Sequence, residues 1–171
     1  MNLQDILLLY EYNDWATRRI LTASAQVSPE RFMVPASHSF GSLRGTLVHT
    51  LDAEFSWRML LQHNTLETFR EMKDEDFPSF DSLEQRWMRE RELMRAYLAS
   101  LQEEGVSGIV RYTTPEGEKR ERVLWHCPLH VVNHGTHHRS EAAAILTDSR
   151  HSPGDLDLTV FLNERRSRPA K

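Results

Sequence analysis

The segment with the clearest chemical potential is residues 130–141, HVVNHGTHHRSE, which holds four of the chain's nine histidines. His134 and His138 are four residues apart, so on a helix they project from one face with about 6 Å between their Cβ atoms. At that spacing two imidazoles can bind one metal ion, as in the H-E-x-x-H motif. The segment therefore indicates a metal site or, in the plainer interpretation, a polar patch on a helix.

A projection at 100° per residue places His134 and His138 inside the apolar face of this predicted helix. Burying two imidazoles without partners is unfavourable because each keeps a polar nitrogen, and a shared metal ion would satisfy one nitrogen on each ring. Arg139 and Ser140 lie off the apolar face in this projection. Three residues lie at the border of that face: His130, His137 and Glu141. Of these, His130 is an alternative metal ligand.

A third ligand has to come from another helix, and His49 in GTLVHTLDAEFSW is the best candidate. Gly45 and Ala53, four residues to either side, are small and leave room for a ligand and its water. The alternative is a histidine that hydrogen-bonds inside the core. Three histidines with an open fourth position are typical of catalytic rather than structural zinc. Nearby Asp52 and Glu54 are expected to be solvated or to orient a ligand ring.

Four long segments with helical periodicity must position these histidines. We predict helices at about 3–26, 42–63, 81–104 and 125–146, with an Asp81 capping box opening the third and Gly105 just beyond its end. Residues 108–123 predict a small β-hairpin, and DLDLTVFLNERR a short final helix. The fold class is therefore all-α, a four-helix bundle with a hairpin between helices three and four. Its long connections favour a crossover.

The length, net charge and apolar content of the chain argue against several classes of function. The chain has 171 residues and a formal net charge of −4, which argues against a nucleic-acid partner. No apolar run approaches about 20 residues, and the start lacks a secretory leader, so we expect a cytoplasmic protein with no membrane partner. Its one cysteine, Cys127, is expected to be a buried small hydrophobe. We predict one domain at 1–164 and a basic, disordered tail at 165–171.

Four segments occur in the order seen in DinB/YfiT-like proteins, a superfamily of metalloenzymes: YNDWATRRIL, GTLVHTLDAEFSW, HVVNHGTHHRSE and DLDLTVFL. The specific part is a single histidine on the second helix combined with N-H-x-x-x-H-R on the fourth. The chain resembles that family over nearly its full length. The resemblance implies a bundle with a long crossover, usually a homodimer, and a metal triad of His49, His134 and His138.

The family motif usually continues H-R-G-Q, whereas this chain reads HRSE, so Ser140 and Glu141 replace the glycine and the glutamine. Glu141 thus adds a carboxylate at the edge of the site, and it is a candidate catalytic residue besides the ligands. Because of these two substitutions, the resemblance alone does not indicate which substrate this chain prefers.

The resemblance implies a divalent-metal-dependent enzyme of the thiol S-transferase type, in which the metal activates a low-molecular-weight thiol such as bacillithiol, mycothiol or glutathione. Zinc is the first choice, and nickel or another divalent ion is an alternative because imidazole suits several metals. A second hypothesis is a hydrolase that uses metal-bound hydroxide, with Glu141 or Glu54 as general base. A third is a dimeric, stress-related binding or scaffold protein whose metal is structural or incidental.

Overall fold

The computed structural model describes residues 1–37, 40–66 and 69–167, and it confirms an all-α bundle with a small hairpin. The four long helices are α1 (Leu3–Ser24), α3 (Leu43–His63), α4 (Phe80–Ser100) and α5 (His126–Asp148). Two shorter helices are α2 (Pro29–Met33) and α6 (Leu158–Ser167). Strands β1 (Ile109–Thr113) and β2 (Lys119–Val123) pair antiparallel between α4 and α5, with Ile109 opposite Val123.

Side-chain caps explain where the long helices begin. Asn2 forms a capping box with Asp5 at the start of α1, and the Ser42 side chain accepts the Gly45 amide at the start of α3. The capping box predicted at Asp81 is wrong, because Ser79 caps α4 together with Ser82. That helix also ends earlier than predicted, at Ser100, and Gly105 closes a separate 3₁₀ turn instead.

The four long helices occupy the corners of the bundle in a non-sequential order. Helix α5 packs most extensively, against both α1 and α3, while α4 packs against α3 and more lightly against α1. Consecutive long helices α1 and α3 are therefore diagonal, as are α4 and α5. Connections of this kind run across the end of a bundle rather than between neighbouring helices.

Apolar side chains fill two ends of this bundle. One cluster centres on Leu47, Leu51 and Leu83, and the other on Ile6, Val131 and Met94. Phe161 of α6 joins the second cluster and lies against Tyr12 and Trp15 of α1, with ring centroids 5.9 and 5.7 Å away. The short final helix thereby covers one side of α1.

A polar junction crosses the bundle interior between the two apolar clusters. Arg139 of α5 is only 3% exposed, and its Nη1 donates to Asn13 Oδ1 on α1 at 2.5 Å. Asn13 Nδ2 in turn donates to Glu54 Oε1 on α3 at 2.7 Å. The projection that placed Arg139 off the buried face is wrong, because α5 is covered by α1 as well as by α3 and so buries a wider arc. A Cβ at Gly135 would lie 2.6 Å from Arg139 Nη1, so glycine makes room for this guanidinium.

A second buried contact ties α3 to α4. Arg58 binds Glu90 through two hydrogen bonds, one from Nε to Oε1 and one from Nη2 to Oε2 at 2.9 Å. The Glu90 side chain is fully buried and that of Arg58 is 5% exposed. Two charges this far from water are stable only while they remain paired.

Helix α6 continues through Ser167, so residues 165–167 of the predicted tail are helical. The rest of that tail, 168–171, lies outside the described residues. Within the described part of the chain, none of the helices has the length and apolar character needed to cross a membrane.

Replacing Glu90 with alanine should lower the free energy of unfolding by about 3–5 kcal/mol, because it leaves the Arg58 guanidinium buried without its partner. Urea denaturation followed by far-UV circular dichroism measures the change. Glu118→Ala is the matched control, since the Arg120–Glu118 pair is about half exposed and its loss should leave stability nearly unchanged. Equal midpoints for the two variants would contradict a structural role for the buried pair.

Candidate metal centre

The structure brings His49 of α3 together with His134 and His138 of α5. His49 Nε2 lies 3.1 Å from His134 Nε2, and one ring nitrogen from each of the three histidines can be chosen so that all lie within 4.8 Å of one another. The ring centroids are 4.4 to 5.0 Å apart. His138 is buried and the other two residues are half-buried, so the cluster lies at the edge of the α3–α5 interface with two of its rings in part accessible to solvent.

These separations fit one tetrahedral ion. Two imidazole nitrogens at about 2.0–2.1 Å from zinc, at a tetrahedral angle, lie about 3.3 Å apart, close to the distance between His49 and His134. Among the described residues, the three histidines and the group of His137, His138 and Glu141 are the combinations of side chains that could hold a metal ion. The three-histidine cluster could therefore hold one, with a fourth position left for another ligand.

The protonation state of the rings also suits a ligand set. Burial, followed by the charge of His138, lowers the pKa of His49 to about 4. Burial and the neighbouring histidines lower the pKa of His134 to about 4 as well. Both rings are consequently neutral near pH 7, and neutral imidazole is the form that binds metals.

Glu141 fixes the tautomer of the third ring. Its Oε2 lies 2.8 Å from His138 Nδ1, and because a carboxylate can only accept, Nδ1 must donate. The lone pair of His138 is then on Nε2. Metal-binding histidines commonly use their second nitrogen in this way, and the carboxylate raises the basicity of the ring. Glu141 Oε1 also lies 3.5 Å from His137 Nε2.

An aromatic ring closes one side of the cluster. Phe40 stacks on His49 with ring centroids 3.7 Å apart and lies edge-on to His138 at 5.1 Å. The loop can approach this closely because position 45 is glycine: a Cβ there would lie 2.1 Å from the Phe40 carbonyl oxygen. The expectation that Gly45 leaves room for a ligand and its water is therefore wrong, since the Phe40 backbone takes that space. Phe40 lies in a loop without periodicity, so no sequence pattern pointed to it.

The other two histidines of the segment lie outside the cluster. His137 is exposed, with 69% of its side chain accessible. His130 is exposed on the same helix, one turn before His134, with ring centroids 5.7 Å apart. It packs against Trp57 at 5.0 Å, and burial together with Arg122 lowers its pKa. His130 thus belongs to the wall beside the site.

The acidic neighbours of His49 do not orient its ring. Asp52 Oδ1 accepts the Met72 amide at 2.8 Å, and Glu54 is buried against Asn13. Glu54 is not solvated as expected: it is 5% exposed, and burial raises its pKa to about 7. Cys127 is free and fully buried, as predicted, and burial raises its pKa to about 11.

Comparison with known proteins shows the family of the chain. The model of the DinB family matches residues 1–167. The chain is also similar to Protein DinB of Bacillus subtilis (strain 168), with 24% identity over 160 residues that cover 90% of this chain and 91% of that protein. The family match spans both histidine-bearing helices and the final helix. The chain belongs to the DinB family.

Proposed function

We propose that this protein is a divalent-metal-dependent enzyme of the thiol S-transferase type, with His49, His134 and His138 as the metal ligands. The observation that carries the proposal is the convergence of three imidazoles from two helices, with His49 and His134 neutral and only half-buried. A divalent ion bound there would act as a Lewis acid that lowers the pKa of a coordinating thiol. Zinc is the first choice and nickel an alternative.

The placement of the carboxylates favours thiol transfer over hydrolysis. Hydrolysis needs a general base beside the nucleophilic water, and the two candidates were Glu141 and Glu54. Glu141 is held by His138 and His137, and Glu54 binds Asn13 in the bundle interior. A thiol is a stronger acid than water, so on coordination it would release its proton to solvent more readily than a bound water and would depend less on such a base.

Aromatic side chains and one guanidinium near the histidines could also act on a bound thiol. Phe40 stacks on His49 and so keeps water from that face of the ring, while Trp57 packs against His130 one turn along α5. Arg122, which donates to Tyr112 Oη at 3.0 Å, lies near enough to His130 to lower its pKa. This guanidinium offers a partner for the carboxylate groups of a low-molecular-weight thiol. The homodimer implied by the family resemblance stays a prediction.

Metal binding should depend on the three converging histidines and not on their neighbours. Protein purified without an affinity tag should contain about one equivalent of divalent metal per chain. Single alanine replacements of His49, His134 or His138 should remove most of it, because two imidazoles alone hold the ion weakly. His137→Ala is the matched control on the same helix and should keep its metal. Elemental analysis makes the comparison, and loss of metal only in His137→Ala would refute the ligand assignment.

Glu141 should tune metal affinity through His138. Glu141→Ala should weaken binding by about 10–100-fold, the usual cost of removing a hydrogen-bond partner of a ligating histidine. Glu141→Gln should lose less, since its amide oxygen can still accept from Nδ1 and keep the tautomer. Competition with a fluorescent chelator gives both affinities, and equal losses in the two variants would show that charge, not orientation, is what Glu141 contributes.

The transferase activity itself is tested with thiols and an electrophile. Metal-loaded protein should conjugate bacillithiol, mycothiol or glutathione to monochlorobimane, and His49→Ala should lose the activity while His137→Ala retains it. Turnover of esters or amides without added thiol would instead favour the hydrolase. No turnover with any thiol, together with unchanged stability after chelation, would favour the scaffold protein.

A further inference from the structure

A cavity lies on the side of the bundle away from the histidine cluster. It has a volume of about 230 Å³ and opens between α1 and α4, the pair of neighbouring long helices that pack least closely. Glu54 of α3 lines it from the opposite corner, and none of the three clustered histidines takes part. The cavity is therefore separate from the candidate metal centre.

Most of its wall is apolar. The side chains are contributed by one face of α1 and one face of α4, and they include Leu7, Met94, Leu98 and Ala99. Met94 and Leu98 are buried. At about the 30 Å³ that each water takes in the liquid, a cavity of this size holds roughly seven non-hydrogen atoms. It suits a short aliphatic chain rather than a nucleotide or a sugar phosphate.

Several polar groups also line the cavity, and two of them, Tyr10 and Glu54, are not fully satisfied. Tyr10 is 7% exposed, and its buried hydroxyl has no hydrogen-bond partner among the described residues. Glu54 accepts from Asn13 at Oε1, but within the described chain it forms no ion pair. Arg139 binds the same Asn13 side chain, and its charge lowers the pKa of Glu54 from across that amide. Burial is the main cause of the raised pKa of both groups, and the Glu54 charge raises that of Tyr10 further.

The charges around the cavity favour a cation over an anion. Three carboxylates and two guanidiniums line it, and both guanidiniums, Arg91 and Arg95, bind Asp14 at 2.8 and 2.5 Å. Glu11 at the mouth is held by Arg165 of α6 at 2.7 Å. Glu54 is thus the one of these three carboxyls that contacts no guanidinium directly, although Arg139 acts on it across Asn13. A bound ammonium would favour its ionised form, whereas a ligand carboxylate would oppose it.

We propose that this cavity binds an aliphatic primary amine, with its ammonium group between Glu54 and Tyr10 Oη and its hydrocarbon chain along Leu7, Met94 and Leu98. An ammonium carries three donors. It can give one to the Glu54 carboxylate and one to the Tyr10 hydroxyl, and so add a cation in contact with Glu54 and the partner that Tyr10 lacks among the described residues. An alcohol of the same length could satisfy the hydroxyl but not the charge.

The experiment compares n-hexylamine, 1-hexanol and hexanoate by isothermal titration calorimetry on the full-length, metal-loaded protein. Hexylamine should bind one molecule per chain with a Kd below about 1 mM, at least tenfold tighter than hexanol, and hexanoate should be weaker still. Glu54→Gln should reduce hexylamine affinity at least tenfold while keeping the Asn13 hydrogen bond and the metal. Glu92→Gln removes the same charge from an exposed position of α4 and should change nothing.

Equal binding of amine and alcohol, full affinity in Glu54→Gln, or no hexylamine binding at millimolar concentration would each overturn the proposal. Should Glu54→Gln fail to fold, two other measurements still decide. Tyr10→Phe should weaken the amine by a smaller factor, and the Met94 methyl resonance should shift on hexylamine addition while the imidazole resonances of the metal site do not. Shifts confined to the histidines would place the amine at the metal site and refute the second site.

Discussion

The buried guanidinium of Arg139 is the constraint on which the arrangement of the helices depends. A charge at 3% exposure has to be satisfied inside the protein, and α5 meets this need by reaching Asn13 of α1. Asn13 can serve because an amide accepts at one atom and donates at the other, so it passes the interaction on to Glu54 of α3. One polar chain thereby links three helices at a fixed register, which is also the register at which His49 meets His134.

With the helices in this arrangement, the α3–α5 side and the α1–α4 side of the bundle present different chemistry. On the α3–α5 side the histidine cluster packs against Phe40, and two of the rings are kept neutral by burial. On the α1–α4 side, looser packing leaves an apolar cavity in front of Glu54. The two sides are joined by α3, which presents His49 to one and Glu54 to the other, five positions further along.

Periodicity and local chemistry predicted the four long helices, the hairpin and the face that carries His134 and His138. These features depend on residues close in sequence. What the sequence could not supply is which helices pack together. Arg139 was assigned to the wrong face because a projection of one helix contains no information about a second neighbour, here α1. Phe40 was missed because a loop has no period, and Gly45 was misinterpreted because a small residue makes room for backbone as readily as for ligand. The cap at Ser79 competed with Asp81, and both fit local rules.

Glu141 also changes the charge of the candidate metal centre and not only its geometry. Three neutral imidazoles leave the full charge of a divalent ion uncompensated, whereas one carboxylate bonded to His138 lowers the local net charge to about one. A thiolate in the open position would then bring the site to neutrality, which is the favourable state for a half-buried group. A glutamine at this position could orient His138 equally well but would leave the extra charge in place. If a divalent ion binds at this centre as proposed, the carboxylate would favour a singly charged anion over a neutral molecule as the fourth ligand.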